Sequence, residues 1–352
     1  MAGAFVIAVT LLSLLRSKAW WIRVWDFPRV QLAVLGVIAL VTGWVTEPSL
    51  GPLLHRVFLG AVALAVAYQA ALVWRYSPFA PKEVQGSRSA AGTRPGLSLA
   101  ISNVLQTNRD AERLIRVLRS ADPDIVLCVE TDEWWRERLD VLQATHRHTV
   151  TCPQTNTYGM VLYSRLPLED ASVDFLVEPD VPSIQARVRM TDGQLVWLNC
   201  VHPRPPAPGE SDESLERDAE LLLVGKRVHG AALPVIVCGD LNDVAWSRPT
   251  RLLQKTSRLL DPRKGRGLFS TFHARTPGFR FPLDHIFHSD NLRLVEMRRL
   301  PYVGSDHFPV YAALSYEPAA RDEQEAPAAD RADKQEASET ISKGKRRGLS
   351  GG

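Results

Sequence analysis

The stretch Val235-Ile236-Val237-Cys238-Gly239-Asp240-Leu241-Asn242 decides how this chain is read. Val, Ile, Val and Cys in succession predict a strand buried on both faces. Gly239 lets the backbone turn or come close to a ligand. Asp240 and Asn242 are two apart, so in extended chain they point the same way. A carboxylate and a carboxamide then leave the strand side by side. A charge after an apolar run is costly unless it is exposed or paired. Taken alone, the stretch fits an ordinary strand-ending Asx turn as well as a site.

Working outward, the same arrangement recurs. Apolar strands end in Asn103, Glu130, His202 and Asp284, and Ser305-Asp306-His307 stands directly before a strand at 309–316. Further strands are expected at 97–102, 125–129, 158–163, 184–190, 195–201, 283–287 and 292–297, with Asp192-Gly193 as a hairpin turn. Helices are expected at 110–120, capped by Asp110, at 132–143 and at 211–229. Strands alternate with helices, yet hairpins also occur, which predicts mixed sheets.

A stable core does not require so many strand ends to carry Asn, Glu, His and Asp. Side-by-side strands would bring these groups to one rim. Glu130, Asp306 and Asn103 offer the oxygen ligands that Mg²⁺ prefers. No Cys/His spacing suggests a zinc cage. The remaining His and Asp residues suit acid/base work near neutral pH. Hard oxygen ligands with two histidines point to phosphate-ester hydrolysis.

Six segments, Ser102-Asn103-Val104, 125–130 ending in Glu130, Cys200-Val201-His202-Pro203, Gly239-Asp240-Leu241-Asn242, Leu283-Asp284-His285-Ile286 and Ser305-Asp306-His307-Phe308-Pro309-Val310, carry a resemblance. In this order they resemble the successive motifs of the endonuclease/exonuclease/phosphatase superfamily, over about residues 97–316. The resemblance implies a four-layer α/β sandwich, two packed mixed β-sheets flanked by helices. It implies Mg²⁺, with Mn²⁺ as a substitute, held mainly by Glu130 with Asn103 and Asp306 nearby. It gives His307 the attacking water or the phosphate, oriented by Asp284. Asp240 and Asn242 would position the nucleophile and stabilise the pentavalent phosphate. His202 matches the second histidine of pancreatic-type deoxyribonucleases, which protonates the leaving group there; many apurinic-type endonucleases lack it. Residues 158–164 match the family's central strand loosely, and no catalytic role is assigned there. The start of the chain resembles that of bacterial members with N-terminal spans.

That start holds three uncharged apolar runs, at 1–15, 30–46 and 57–74. Crossing the hydrocarbon takes about 20 residues, with a range of roughly 17–25. The second and third runs qualify; the first is short. Trp20, Trp21, Trp25, Trp44 and Trp74 lie near the run ends, as an aromatic belt would. The expectation is two or three transmembrane helices in residues 1–76. Arg16, Lys18, Arg23 and Arg29 precede the second run, and Arg75, Lys82, Arg88 and Arg94 follow the third. The positive-inside rule then places the catalytic domain in the cytoplasm, and the resemblance to bacterial members implies the inner membrane of a bacterial-type cell. Pro, Gly and Ser mark 77–96 as a linker. The tail, 317–352, is poor in large apolar residues and is expected to be disordered.

The net charge of +3 is too small to imply a nucleic-acid binder. Cys128, Cys152, Cys200 and Cys238 form no metal-type or disulfide pattern. Two functions share these motifs: an Mg²⁺-dependent phosphodiesterase, a nuclease or a phospholipid-type enzyme, and a phosphomonoesterase. A catalytically inactive membrane scaffold would need degraded motifs, and none is broken. The expected partners are a phosphate-ester substrate and the lipid bilayer, with no obligate protein partner. His285, one residue after Asp284, points to the opposite strand face and reads as structural.

Overall fold

The computed structural model describes residues 1–46, 51–88 and 96–350. At the start, α1 (Ala2–Leu14), α2 (Trp20–Arg23), α3 (Arg29–Val45) and α4 (Pro52–Trp74) form a helical group. The strands follow as β1 (Leu97–Asn103), β2 (Ile125–Val129), β3 (His148–Cys152), β4 (Met160–Ser164), β5 (Leu168–Phe175), β6 (Pro182–Arg189), β7 (Leu195–Cys200), β8 (Val235–Asp240), β9 (Asp284–His288), β10 (Leu292–Arg299) and β11 (Val310–Tyr316). Among them lie α5 (Ala111–Ala121), α6 (Glu133–Leu139), α7 (Leu215–Val228) and α8 (Arg248–Ser257), and α9 (Arg331–Ser350) comes last.

One sheet runs β10-β11-β1-β2-β4-β3 and the other β5-β6-β7-β8-β9. Both are mixed: β1 pairs β2 and β7 pairs β8 in parallel, and their outer neighbours are antiparallel. The period of two sorts the side chains. Leu97, Leu99 and Ile101 join Leu127, Leu198, Ile236 and Ile286 in the core between the sheets. Ala100, Val126 and Cys128 face outward onto Leu114 of α5 and Trp135 of α6. Val235 and Val237 face the other way, onto Leu221 and Val224 of α7 and Leu253 of α8. Both faces of β8 are therefore covered, as its unbroken apolar run requires. The result is the expected four-layer α/β sandwich.

Three expectations are corrected. Among the described residues only α4, with 23 residues, is by itself long and apolar enough to cross a membrane. The Trp20–Asp26 segment and α3 meet the same test only together, across a 72° bend, and α1 is too short. Residues 77–88 are not a free spacer, while 89–95 lie outside the described residues. Val84 enters the central core, Ser87 N–H donates to Leu294 O at 2.9 Å, and Lys264 pairs with Glu83 at 2.7 Å. Nor is the described part of the tail, 317–350, disordered. It forms α9 against α7 and α8, where Ala337 packs on Leu222 and Leu252, and Lys255 reaches Asp333 at 2.8 Å. Helix-forming Ala, Glu and Lys together with ion pairs hold it where large aliphatic residues are scarce.

The helical group is fastened to the sandwich. The Trp246 indole donates to Asp26 O at 2.6 Å, Lys18 Nζ reaches Asp218 at 2.7 Å, and Gln31 donates to Gly278 O at 2.6 Å.

Candidate active site

The strand directions explain why the site residues meet. Asn103 ends β1 and Glu130 follows β2, both at the carboxyl ends of parallel neighbours. His202 follows β7 and Asp240 ends β8, the parallel pair of the second sheet. The antiparallel strands β9 and β11 begin at this rim, so Asp284 opens β9 opposite Asp240 and Asp306-His307 sits just before β11. Gly239 is required here. Its φ is +141°, and a Cβ would stand 1.9 Å from the Val201 carbonyl oxygen. Only glycine lets β8 approach β7 this closely while delivering Asp240. Glu130 and Asn242 leave their strands at φ 60° and 50°, the left-handed turn that ends each strand and aims the side chain.

Asn103 is the hub. Its Nδ2 donates to Glu130 Oε1 at 2.6 Å and to Asp240 Oδ2 at 3.0 Å, and its Oδ1 accepts from Leu105 N–H at 2.9 Å. Turned the other way, the amide oxygen would face two carboxylates, so the network fixes its orientation. Asp240 Oδ1 accepts the Asn242 N–H at 2.9 Å, and Asn242 Nδ2 donates to Pro203 O at 3.0 Å. His307 Nδ1 lies 2.8 Å from Asp284 Oδ2, and its Nε2 lies 3.5 Å from Asp240 Oδ2. The ring of His202 lies against Tyr158, 5.6 Å between centroids, and its Nδ1 has no hydrogen-bond partner among the described residues.

Electrostatics divide the two histidines. Burial pulls both down. Asp284 and Asp240 overcome this at His307 and carry it to about 10. At His202 burial dominates despite Asp240 and holds the ring at about 4. One imidazole is thus charged at neutral pH and the other neutral. Burial, with Asp240 and Asp306 adding to it, lifts Glu130 to about 7 although Asn103 and His307 oppose. Burial also raises Asp240.

These residues fit a divalent cation. Four carboxylates, Glu130, Asp240, Asp284 and Asp306, converge around one charged imidazole, and Asp284 Oδ1 is buried with no hydrogen-bond partner among the described residues. Asp240, Asp284 and His307 form a group compact enough to hold a metal, each offering a ligand atom within 4.8 Å of the others. Both ring nitrogens of His307 already face carboxylates, which favours the oxygen-only side around Glu130 for a hard ion.

All eight sequence-predicted site residues, Asn103, Glu130, His202, Asp240, Asn242, Asp284, Asp306 and His307, lie at this rim. Asn103 differs in detail from a direct ligand, because its amide nitrogen faces the carboxylates. His285 turns away: its Nε2 meets Asp243 O at 2.9 Å and its Nδ1 meets Arg263 Nη2 at 2.7 Å. The sequence reading gave no role to Tyr158 beside His202, nor to Phe272, whose ring lies 5.0 Å from that of His307. Tyr158 stands just before β4, at the start of the strand expected from 158, and Phe272 comes from a loop with no periodic pattern. The only signal was the nearness of Phe272 in sequence to Asp284.

Among solved structures, the fold matches an endonuclease/exonuclease/phosphatase from Beutenbergia cavernae, with 19% identity over 64% of this chain and 72% of that one and a TM-score of 0.51. It matches the human Nocturnin catalytic domain with bound sulfate at 16% identity, over 64% of this chain and 96% of that one, with a TM-score of 0.51. D. rerio TDP2 complexed with a single strand DNA product matches at 18% identity, over 62% of this chain and 98% of that one, with a TM-score of 0.52. Such identities speak for the fold alone. No curated protein matches the chain. The model of the endonuclease/exonuclease/phosphatase family matches residues 84–307, more than half of the sequence. The chain belongs to the endonuclease/exonuclease/phosphatase family.

Proposed function

We propose that this chain is a membrane-attached, Mg²⁺-dependent phosphoesterase that hydrolyses phosphodiester bonds. The observation that carries the reading is the His307–Asp284 pair, 2.8 Å apart, set against Asp240 and Glu130 on one buried rim. Mg²⁺, or Mn²⁺ in its place, held by Glu130 and Asp306 with Asn103 setting the Glu130 carboxylate, would neutralise phosphoryl charge.

The chain's own residues do the rest. Asp284 accepts from His307 Nδ1, which fixes the ring and leaves Nε2 to donate to a phosphoryl oxygen. Asp240, oriented by Asn103 and by the Asn242 N–H, holds the attacking water and accepts the proton it releases. His202 is neutral before substrate binds. A phosphate anion beside it raises its basicity, so it can carry the proton needed by the leaving oxygen. Support for membrane attachment is α4, which keeps Leu53 and Leu64 at 77% and 74% exposed. Attachment to a bilayer favours a lipid-borne phosphodiester, and the small net charge of +3 argues against duplex DNA.

The test is a substrate panel with Mg²⁺: plasmid DNA, single strands, sphingomyelin, phosphoinositides and aryl phosphate mono- and diesters. Hydrolysis of diesters that disappears with chelator and in His307→Ala supports the reading. Cleavage of monoesters alone would make the chain a phosphomonoesterase, and undiminished activity in excess chelator would reject the cation.

A further inference from the structure

Where α1, α3 and α4 end against the sandwich, they enclose a cavity of about 240 Å³. Six bases line it: Arg16, Lys18, Arg23, Arg29, Arg248 and Arg251. Only three carboxylates, Asp26, Asp218 and Glu336, line it with them, which leaves positive charge in excess. Each carboxylate is already engaged. Asp26 takes Arg23 Nη1 at 2.7 Å and also pairs with Arg29. Asp218 takes Lys18 at 2.7 Å, and Glu336 takes Arg248 Nε at 2.7 Å.

The buried bases are not satisfied by these partners. Arg23 is 8% exposed and Arg29 3%. Yet Nε and Nη2 of Arg23 and Nε of Arg29 have no hydrogen-bond partner among the described residues. A guanidinium has five N–H groups in a fixed fork, which suits a tetrahedral oxyanion and is costly to bury unmatched. Apolar residues share the lining of the cavity, among them Leu72 and Leu252. Leu14 and Leu15 line it and are 53% and 52% exposed, at the end of α1 and on the outer surface. The cavity therefore combines a cationic lining with leucines that reach the surface.

We propose that this cavity binds a phosphate group, that of an anionic phospholipid headgroup whose acyl chains leave past Leu14 and Leu15. The site is separate from the catalytic rim and does not depend on which phosphoester is hydrolysed.

The test uses the full chain in neutral detergent with chelator and follows the thermal unfolding midpoint. The probes are sodium phosphate, dioctanoyl phosphatidic acid and, for the acyl chains alone, dioctanoylglycerol. His307→Ala removes a contribution from the catalytic rim. Phosphatidic acid should raise the midpoint by several degrees in the wild type and in His307→Ala, and dioctanoylglycerol should not. Arg23→Gln should abolish the rise. Arg16→Gln with Arg251→Gln, two exposed positions, should reduce it in a folded protein. An equal rise with sodium phosphate would keep the anion site and overturn its lipid source. A rise absent in His307→Ala, or unchanged in Arg16→Gln/Arg251→Gln, would overturn the site.

Discussion

His307 Nδ1 lies 2.8 Å from Asp284 Oδ2, and both side chains are buried. Neither group is placed by its neighbours in sequence. β9 and β11 belong to different sheets, and the pair bridges them. Loss of a general acid/base typically costs about 10²- to 10⁴-fold in rate. His307→Ala should fall in that range while the protein stays folded, and Asp284→Asn should also slow turnover. The two losses should not multiply, because the residues act as one unit. A double-mutant cycle on kcat checks this, and a double mutant showing the full product of the single losses would dissolve the dyad.

Glu130 gives a pH signature. Its carboxyl is raised from 4.5 to about 7, chiefly by burial. Between these values the folded protein keeps a proton that the unfolded chain has lost, so stability falls as pH rises. The slope reaches about 1.4 kcal/mol per pH unit for a single proton. Asp240 is raised too and acts with the same sign. His307 is raised from 6.5 to about 10, so its contribution is complete below 6.5 and fades only toward 10. Chemical denaturation in chelator from pH 4.5 to 6.5 should therefore show wild type losing stability relative to Glu130→Gln. Added Mg²⁺ should flatten the wild-type slope and leave that of Glu130→Gln nearly unchanged.

Gly239→Ala should be among the most damaging small substitutions in the chain. Its Cβ would meet the Val201 carbonyl at 1.9 Å, in a backbone conformation with φ +141°. Backbone strain and displacement of β8 from β7 together cost roughly 2–4 kcal/mol. Activity should fall further than stability, because Asp240 is the next residue. Urea denaturation and kcat on the same preparation would show the two losses; wild-type values for both would refute the close approach.

The chain should need detergent for extraction from cell membranes. α4 spans 23 residues, and 17% of its most apolar 18-residue window is buried. A helix of this kind fits the hydrocarbon thickness. Release of the full-length protein by an alkaline carbonate wash would show that α4 does not span.

The polar strand ends were readable in the sequence because each follows an apolar run whose direction the fold then sets. Asp240 next to Asn242, and Asp306 next to His307, are short-range patterns, and β-pairing carries them to one rim. Of the four edge strands, β9 and β10 were readable and β3 and β5 were not. β3 and β5 are half exposed and lack a clean apolar alternation. α9 was missed because its hold on the sandwich comes from ion pairs such as Lys255–Asp333, which are set by tertiary packing. The partnership of His307 with Asp284 was legible only through the family resemblance. The pairing of Tyr158 with His202 was not legible at all, since nothing local selects it.

Trp246 lies four residues beyond Asn242, and its indole N–H rests on the Asp26 carbonyl of the helical group. Lys18 likewise closes on Asp218, whose other oxygen holds Arg217, and Arg217 donates to the Asn242 carbonyl at 2.7 Å. The helices at the start of the chain are thus a wall of the enzyme rather than a leash. Cutting them away to make a handier fragment would strip a hydrogen-bond acceptor and a counter-charge from the scaffold under Asn242. Any replacement of these helices would have to rebuild the support beneath the Asn242 turn as well.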